Sequence, residues 1–378
     1  MRVSPEKIVQ QFQKEEIRFF CGVPDSLLKG FCSYLVERTS QTEHVITANE
    51  GNAVALAAGH FLGSGNPALV YMQNSGVGNA INPLLSLVDK EVYSIPMICL
   101  VGWRGEPGIK DEPQHIKQGR VSTDLFDAME IPWFVLDAET PDPLELISKA
   151  ASCMWDKMGP VMILVRKGAF EAYKHTIDNS IDLPMTREVA IQSIVNILDE
   201  EDIVVSTTGK ASRELNEYRI SQGKALGKDF LTVGSMGHTA SIAMGIALKQ
   251  PMRQVICLDG DGSAIMHLGG MAIIGQQRMF NFTHIILNNG VHDSVGGMPT
   301  VGFKIDFVKI ADACGYTTVS SVSTFEELKV KLKKLNRSGT TFLEIKVNTG
   351  SRSNLGRPEA TPIQNRDALM EALKVQNL

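Results

Sequence analysis

Short apolar runs alternate with longer segments of helical composition along the whole chain. Apolar runs that end at glycine, proline or asparagine are typical of buried strands. They predict strands at Ile17–Val23, His44–Thr47, Pro67–Met72, Pro96–Val101 and Pro160–Val165, and again at Ile203–Ser206, Phe230–Val233, Val255–Leu258, Thr283–Leu287 and Thr341–Val347. Strands that alternate with helices form parallel sheets. We therefore expect an α/β protein with two related three-layer αβα domains and mainly parallel sheets.

Two polar segments interrupt this pattern. Residues 171–185 lack a clear period, which predicts a linker between a first domain of residues 1–170 and a second domain of residues 186–378. The segment Gly102–Gly119 holds two prolines and four glycines, and predicts a loop that is long for a strand–helix connection. Because long ordered loops in compact domains often carry function, this segment is a candidate for substrate contact.

Composition narrows the class of protein without giving its function. The chain has 378 residues, of which 43% are hydrophobic and 21% charged, and a net charge of −5. This balance favours neither nucleic acid nor an anionic membrane as a partner, and no apolar run approaches the roughly 20 residues of a membrane span. The N-terminal segment begins an amphipathic helix and does not resemble a signal peptide. The six cysteines are scattered without CxxC spacing, which favours reduced thiols and a cytoplasmic protein.

Polar residues end two neighbouring predicted strands of the second half. The run Val255–Leu258 stops at Asp-Gly-Asp-Gly-Ser, and the run Thr283–Leu287 stops at Asn288 and Asn289. The residues between the two runs predict a helix at Ser263–Arg278. Ligands bind at the carboxyl ends of strands in open α/β sheets. Glycines in such a turn let the backbone approach an anion at the amino end of the next helix, and carboxylate and amide oxygens suit Mg²⁺. The pattern predicts a Mg²⁺–diphosphate site, although the turn alone is equally compatible with an acid-capped helix.

The spacing of Gly-Asp-Gly-Ser and the later Asn-Asn pair resembles the signature of the thiamin-diphosphate (ThDP) enzymes. This resemblance implies that Asp261, Asn289 and the backbone carbonyl of Val291 bind Mg²⁺. Asn288 is the register-shifted alternative, and the count toward Gly290 favours Asn289. ThDP is then the expected cofactor, and its diphosphate is expected at Gly260, Asp261, Gly262 and Ser263.

A second expected piece of the site is Glu50, in the run ITANEGNAVALAAG. An acid in the first turn of a helix is favoured by the helix dipole alone. The alanines and glycines around it also permit close packing, and a buried carboxyl group has a raised pKa. The run resembles the segment of ThDP enzymes whose glutamate shares a proton with the cofactor's aminopyrimidine ring. In that family the glutamate and the metal ligands come from different subunits, which implies a homo-oligomer with active sites at a dimer interface.

A third piece precedes the glycine turn, in the segment TVGSMGH. Methionine in such a context is often only core filler. The segment resembles the family's cofactor-bending turn, which implies that Met236 supports the bent cofactor. Gly234 and Ser235 then line the cofactor beside it, with the Gly234 carbonyl accepting from the pyrimidine amino group.

The chain leaves no room for the middle domain that larger ThDP enzymes carry. The chain resembles the branch of the family that decarboxylates phosphonopyruvate or sulfopyruvate. The resemblance lies in its two-domain build and in the segments CGVPDS, GWRGEPGIKDEPQH, NNGVHDSVGGMPT and GSRSNLGRP. The sulfopyruvate enzymes often place the two domains on separate chains, so the fused chain favours phosphonopyruvate. The resemblance implies a lyase that releases CO₂ from a small 2-oxo acid with an anionic tail. The alternatives are another 3-substituted pyruvate, a carboligase, or a non-catalytic binding subunit; intact Glu50, Asp261 and Asn289 argue against the last.

Substrate contacts are the least specific part of the sequence signal. An oxyanion tail needs cations, and the candidates are Arg104, Lys210, Arg352 and Arg357, although each one is also compatible with an ordinary surface charge. Asp25 and His115 are the candidates for substrate binding and proton transfer. Asp25 could equally be a helix cap, and His115 is expected on the long loop. His292, just beyond the metal ligands, is a third candidate.

Overall fold

The computed structural model describes residues 2–176, 181–224, 227–333 and 339–374. The chain divides into two compact units, Met1–Asp178 and Asn179–Leu378, each with its own six-stranded parallel sheet. Within the described residues, no helix is long and apolar enough to cross a membrane.

The first unit is a parallel sheet with strand order β2-β1-β3-β4-β6-β5. Its strands are β1 (Phe19–Gly22), β2 (His44–Ile46), β3 (Ala68–Gln73), β4 (Met97–Gly102), β5 (Trp133–Leu136) and β6 (Pro160–Val165). Its helices are α1 (Pro5–Lys14), α2 (Lys29–Arg38), α3 (Glu50–Ser64), α4 (Val77–Ser86), α5 (Pro113–Ala128) and α6 (Pro143–Lys157), with a 3₁₀ turn at Asn74–Gly76. Strands β4 and β6 are buried along their whole length, as expected where helices cover both faces of a parallel sheet.

The second unit repeats this architecture with strand order β13-β14-β10-β9-β7-β8. Its strands are β7 (Ile203–Ser206), β8 (Asp229–Leu231), β9 (Val255–Gly260), β10 (Phe282–Asn288), a separate antiparallel pair β11 (Val291–His292) and β12 (Met298–Pro299), then β13 (Thr318–Val322) and β14 (Thr341–Lys346). Its helices are α7 (Arg187–Val195), α8 (Lys210–Ser221), α9 (Thr239–Lys249), α10 (Asp261–Met266), α11 (Gly270–Gln277), α12 (Phe307–Cys314), α13 (Phe325–Leu332) and α14 (Pro362–Ala372), with a 3₁₀ turn at Asp293–Val295.

Alternate residues of the second sheet enter different apolar cores. Ile203 and Val205 belong to one buried cluster, while Val204 between them belongs to the other. Successive side chains of a strand point to opposite faces, so each face of the sheet has its own core. This arrangement confirms the predicted pair of three-layer αβα domains without a middle domain. Polar residues lie at the ends of the strands, outside these apolar cores.

Several predicted elements need correction. Helix α5 begins at Pro113, so the last third of the predicted loop is helical; proline is well suited to the first helical position. The helix predicted at Ser263–Arg278 is two helices, separated by His267, Leu268 and Gly269.

Three further elements escaped the sequence analysis. Strand β13 is largely exposed and polar, which removes the apolar run that marks a strand. Strand β5 is only four residues long. Helix α14 lies in a polar C-terminal segment, where Pro362 at its start and a capping box at Thr361 and Gln364 were the available signals.

The segment after β6 packs back on the first unit. Phe170 pairs with Val3 in an isolated bridge, and the Tyr173 and Thr176 hydroxyls both donate to the Glu37 carboxylate. The early part of the predicted linker is therefore ordered by contacts with α2. The domain boundaries at residues 170 and 186 remain predictions.

Candidate active site

Asp261 lies where β9 ends and α10 begins. Leu287 of β10 pairs with Gly260 of β9, which brings the two polar strand ends together. The Asp261 side chain accepts hydrogen bonds from the Thr300 hydroxyl and from the backbone amide of Asn289. Burial raises the pKa of Asp261 to about 6, although these hydrogen bonds oppose the shift. Asp261 forms no ion pair with any described residue, so a bound divalent cation would supply a positive charge beside it.

The two asparagines that end β10 have different surroundings. Asn288 is fully buried; its amide donates to the Gly302 carbonyl at 2.8 Å and to the Glu344 carboxylate at 2.7 Å. Its side-chain oxygen accepts from the Gly290 amide at 3.2 Å. Asn288 is thus held within the fold. Asn289 is the better candidate for a metal ligand because its backbone already touches Asp261.

A hydrogen-bonded network of charged residues orients Asn289. The sequence did not identify any of these charged residues. The Asn289 amide donates to Asp293 Oδ2 at 3.0 Å, and Arg187 Nη1 donates to the same oxygen at 2.8 Å. Arg187 also makes two hydrogen bonds with Glu214 of α8, at 2.8 and 2.9 Å. The other oxygen of Asp293 accepts from the Gly350 amide at 3.1 Å. The network thus joins α7, α8 and two loops to the side chain of Asn289.

The glycine turn itself is packed closely. A Cβ on Gly262 would lie 2.5 Å from Cε1 of His292, so only glycine leaves room for that imidazole. Burial lowers the pKa of His292 to about 4, which keeps the ring neutral. Ser263 is buried; its hydroxyl accepts from the Gly237 amide at 3.1 Å and lies 3.2 Å from the Thr207 hydroxyl.

The turn that contains Met236 has an unusual backbone. Gly234, Ser235 and Gly237 all have positive φ, at 73°, 48° and 89°, a conformation in which glycine is favoured. The Gly234 amide donates to the Thr208 hydroxyl at 3.1 Å. Together with the Gly237–Ser263 bond, this contact fixes the turn beside the start of α10. Three of the predicted cofactor residues of the second unit are therefore adjacent to the predicted diphosphate residues.

Glu50 is buried at the first position of α3, with 5% of its surface exposed. Asn79 of α4 donates to its Oε2 at 2.7 Å. Burial raises the pKa of Glu50, and the bond from Asn79 opposes the rise. A Cβ on Gly76 would lie 2.3 Å from Oε1 of Glu50, so the carboxyl group occupies the space of an absent side chain. The Glu50 carboxyl group therefore keeps its proton to a higher pH than an ordinary glutamate does.

Asp25 is buried beyond the end of β1, with 1% of its surface exposed. Its Oδ2 accepts from the Leu27 amide at 2.8 Å, while Oδ1 has no hydrogen-bond partner among the described residues. Burial raises the pKa of Asp25, against the Leu27 amide and the charge of Arg104. A Cβ on Gly102 would lie 2.2 Å from Oδ2. Asp25 is therefore not a helix cap, and helix α2 begins only at Lys29.

Arg104 and His115, whose charges both act on Asp25, are bridged by a residue that the sequence did not single out, Asp111. Arg104 Nε donates to Asp111 Oδ2 at 2.8 Å, and the His115 ring lies 3.0 Å from Asp111 Oδ1. Burial alone would raise the pKa of Asp111, but the hydrogen bonds from Arg104 and His115 lower it overall. Burial also lowers the pKa of His115, and the nearby Arg104 adds to this effect. The sequence signal that could have identified Asp111 is its position between two candidate residues, Arg104 and His115, in one segment.

The prediction that His115 lies on the long loop was wrong. It lies in the first turn of α5 and not on a free loop, and the bond to Asp111 fixes its ring. Asp25, Arg104 and His115 thus form one cluster in the first unit. Glu50 lies at the amino end of a different helix of that unit.

The other candidate cations lie in the second unit. Arg352 is bound by two carboxylates, Glu188 at 2.9 Å and Glu217. Arg357 is exposed in the same C-terminal segment. Lys210 is the half-buried first residue of α8, directly after Gly209.

Two family models match the chain. Residues 5–130 match the N-terminal TPP-binding domain of thiamine pyrophosphate enzymes, and residues 207–345 match the C-terminal TPP-binding domain. Thiamine pyrophosphate is another name for ThDP, so the matches agree with the resemblance found in the sequence.

Curated relatives match over nearly the whole chain. A phosphonopyruvate decarboxylase from Streptomyces viridochromogenes is 34% identical over 91% of this chain and 88% of its own. Another, from Streptomyces hygroscopicus, is 36% identical over 90% of this chain and 86% of its own. A sulfopyruvate decarboxylase from Methanosarcina acetivorans is 29% identical over 86% of each chain. Both names therefore occur among single-chain relatives, and the fused chain does not separate them.

Proposed function

The chain belongs to the thiamine pyrophosphate enzymes, in the group of phosphonopyruvate and sulfopyruvate decarboxylases, and we propose that it converts phosphonopyruvate to phosphonoacetaldehyde and CO₂ without oxidation. The observation that carries this proposal is the match of both units, in one chain, to two phosphonopyruvate decarboxylases at 34% and 36% identity. The burial of Asp261, Asn289 and Glu50 supports the proposal.

ThDP is the cofactor of this family, and we propose Mg²⁺ as its metal. Asp261, Asn289 and the Val291 carbonyl are the proposed ligands. A buried carboxylate without an ion pair among the described residues, next to an amide at the amino end of a helix, fits a hard divalent ion and a diphosphate. When bound, ThDP supplies a carbon nucleophile and an acceptor for the electrons left by CO₂.

Glu50 is proposed to hold and exchange a proton with the aminopyrimidine ring. Its raised pKa supports this role, because the carboxyl group keeps its proton at a higher pH than an ordinary glutamate. The proposal includes at least a dimer, in which Glu50 of one copy serves the cofactor held by Asp261 of the other. Gly234, Ser235 and Met236 are proposed to support the cofactor between them.

Asp25 and His115 are proposed to face the substrate. The free oxygen of Asp25 supports this role, since a buried acceptor without a partner is costly unless a ligand uses it. His115, held by Asp111, keeps one ring nitrogen for a proton transfer to the carbon that loses CO₂. Arg104 lies in the same cluster and is a further candidate for substrate binding, with its charge already paired with Asp111. Lys210, Arg352 and Arg357 remain weaker candidates for the substrate tail.

Sulfopyruvate is the second candidate substrate, supported by the relative that is 29% identical over both units. We also propose that the protein works in the cytoplasm, since all six cysteines are free. A carboligase remains a less favoured alternative.

The proposal is tested by measuring CO₂ release from phosphonopyruvate and from sulfopyruvate, each with and without ThDP and Mg²⁺. We expect cofactor- and metal-dependent release that is faster with phosphonopyruvate. Preference for sulfopyruvate would replace the first substrate by the second. A lack of ThDP-dependent release from both would overturn the proposed activity. Adding an aldehyde acceptor and measuring carbon–carbon bond formation identifies a carboligase.

A further inference from the structure

A cavity of about 290 Å³ lies in the first unit, next to the cluster of Asp25 and His115. Ser26, Leu27, Arg104 and Asp111 contribute to its wall. Ser26 and Leu27 directly follow Asp25, and Asp111 contacts His115. The cavity is therefore lined by neighbours of the two groups that are proposed to face the substrate. Its volume is of the order of ten water molecules, which suits a small acid.

The charges around this cavity do not balance. Arg104 pairs with Asp111. Glu106 in the wall pairs with Arg166 at 2.7 Å, and Arg166 also binds Asp137. Two lysines of the wall, Lys110 and Lys167, have no ion pair with any described residue. Two exposed lysines without a described carboxylate partner thus lie at the rim of the cavity, on two separate loops.

The remaining wall is apolar and well fixed. Trp103 is buried; its indole N–H donates to the Gly119 carbonyl at 2.9 Å, and the Arg166 guanidinium lies 5.6 Å from its ring centre. Leu27 and Ile109 add apolar surface. Trp103 thus gives the cavity one fixed apolar side, while both lysines are exposed at its rim.

We propose that this cavity is the recognition site for the anionic tail of the substrate, with Lys110 and Lys167 as its tail-binding cations. The proposal deepens the proposed function and rests on it. A phosphonate with two negative charges gains from both lysines, whereas a sulfonate carries one charge and gains less. Arg104 keeps a fixed position because Asp111 and Ser26 hold its guanidinium. The lysines thus determine which tail is preferred.

The test uses holoenzyme and two stable tail analogues, phosphonoacetate and sulfoacetate, whose dissociation constants are measured by calorimetry. The variants are Lys110→Met, Lys167→Met and the double variant, with Lys110→Arg to restore the charge. Lys117→Met is the matched control, because Lys117 is an exposed lysine of α5 outside the cavity wall.

We expect each single variant to bind phosphonoacetate about 5- to 10-fold more weakly, and the double variant roughly 30-fold or more. Sulfoacetate should lose less, Lys110→Arg should bind like the parent, and Lys117→Met should have no effect. A double variant that binds phosphonoacetate as tightly as the parent would overturn the proposed tail site, even if phosphonopyruvate is decarboxylated. Lysine-dependent binding without any CO₂ release would instead overturn the proposed activity and retain the site.

Discussion

The contact between Asp293 and Asn289 gives a sharp prediction about metal binding. Asp293 accepts hydrogen bonds from the Asn289 amide, from Arg187 and from the Gly350 amide. Asp293→Asn keeps the size of the side chain but removes its charge and one acceptor oxygen. The variant cannot satisfy all three donors, so the amide of Asn289 loses its fixed orientation.

The expected effect is large for metal binding and moderate for stability. Loss of a residue that orients a metal ligand typically weakens metal binding by roughly 10- to 100-fold, about 1.4–2.8 kcal/mol. Arg187 keeps its two hydrogen bonds to Glu214 and is not left as an unpaired buried charge. The free energy of unfolding should therefore fall by only about 1.5–3 kcal/mol, the worth of a hydrogen bond to a charged group.

The assay is calorimetric titration of Mg²⁺ into metal-free protein that is saturated with ThDP, together with thermal unfolding of the metal-free form. Asp306→Asn is the matched control. Asp306 caps α12 through the Lys309 amide, and asparagine is an equally good cap. Mg²⁺ affinity within about twofold of the parent in Asp293→Asn would refute the orienting role, since a second-sphere partner should cost far more. Equal losses in both variants would show a general effect of the substitution.

Three further outcomes follow from the site. Glu50→Gln should bind ThDP, measured by calorimetry, but lower kcat roughly 100-fold or more, because the amide cannot exchange the proton; near-normal kcat would exclude this role. Gly76→Ala should lower kcat because the new methyl group displaces the Glu50 carboxyl group. Gly78→Ala is the control and should keep parental activity, since nothing lies within 4 Å of its new Cβ. Equal activity of the two variants would contradict the packing argument. Mixing equal amounts of inactive Glu50→Gln and Asp261→Ala subunits should restore activity in about a quarter of the active sites, if the two residues act across a dimer. If activity does not return after subunit exchange has been verified, both residues act within one subunit.

The fold was predictable because its signals are local. Buried parallel strands such as β9 and β10 read as apolar runs, and polar turns mark their ends. Strand β13 was not predicted because it is a partly exposed edge strand that contains polar side chains and therefore has no apolar run. Helix α5 was placed too late because its first turns are polar and lie in a segment rich in glycine and proline.

The sites were only partly predictable. Asp261, Asn289 and Glu50 were found because glycines or amides flank them in short motifs. Arg187, Glu214 and Asp293 escaped because their network joins residues up to 163 positions apart, through contacts that no local pattern reveals. Asp111 escaped for a different reason: its role depends on which of several acids in the segment faces Arg104, and only the folded chain decides this.

Burial of Asp25 and Glu50 also has a consequence for the balance between stability and activity. Both carboxyl groups have a pKa above their ordinary values of 3.8 and 4.5, so the folded chain binds these protons more tightly than the unfolded chain. Stability is therefore lost as the pH rises through those ordinary values toward the raised ones, and it is not regained at neutral pH. Amides of the same shape would remove this loss. We therefore expect Asp25→Asn and Glu50→Gln to stabilise the fold and to lower the proposed activity.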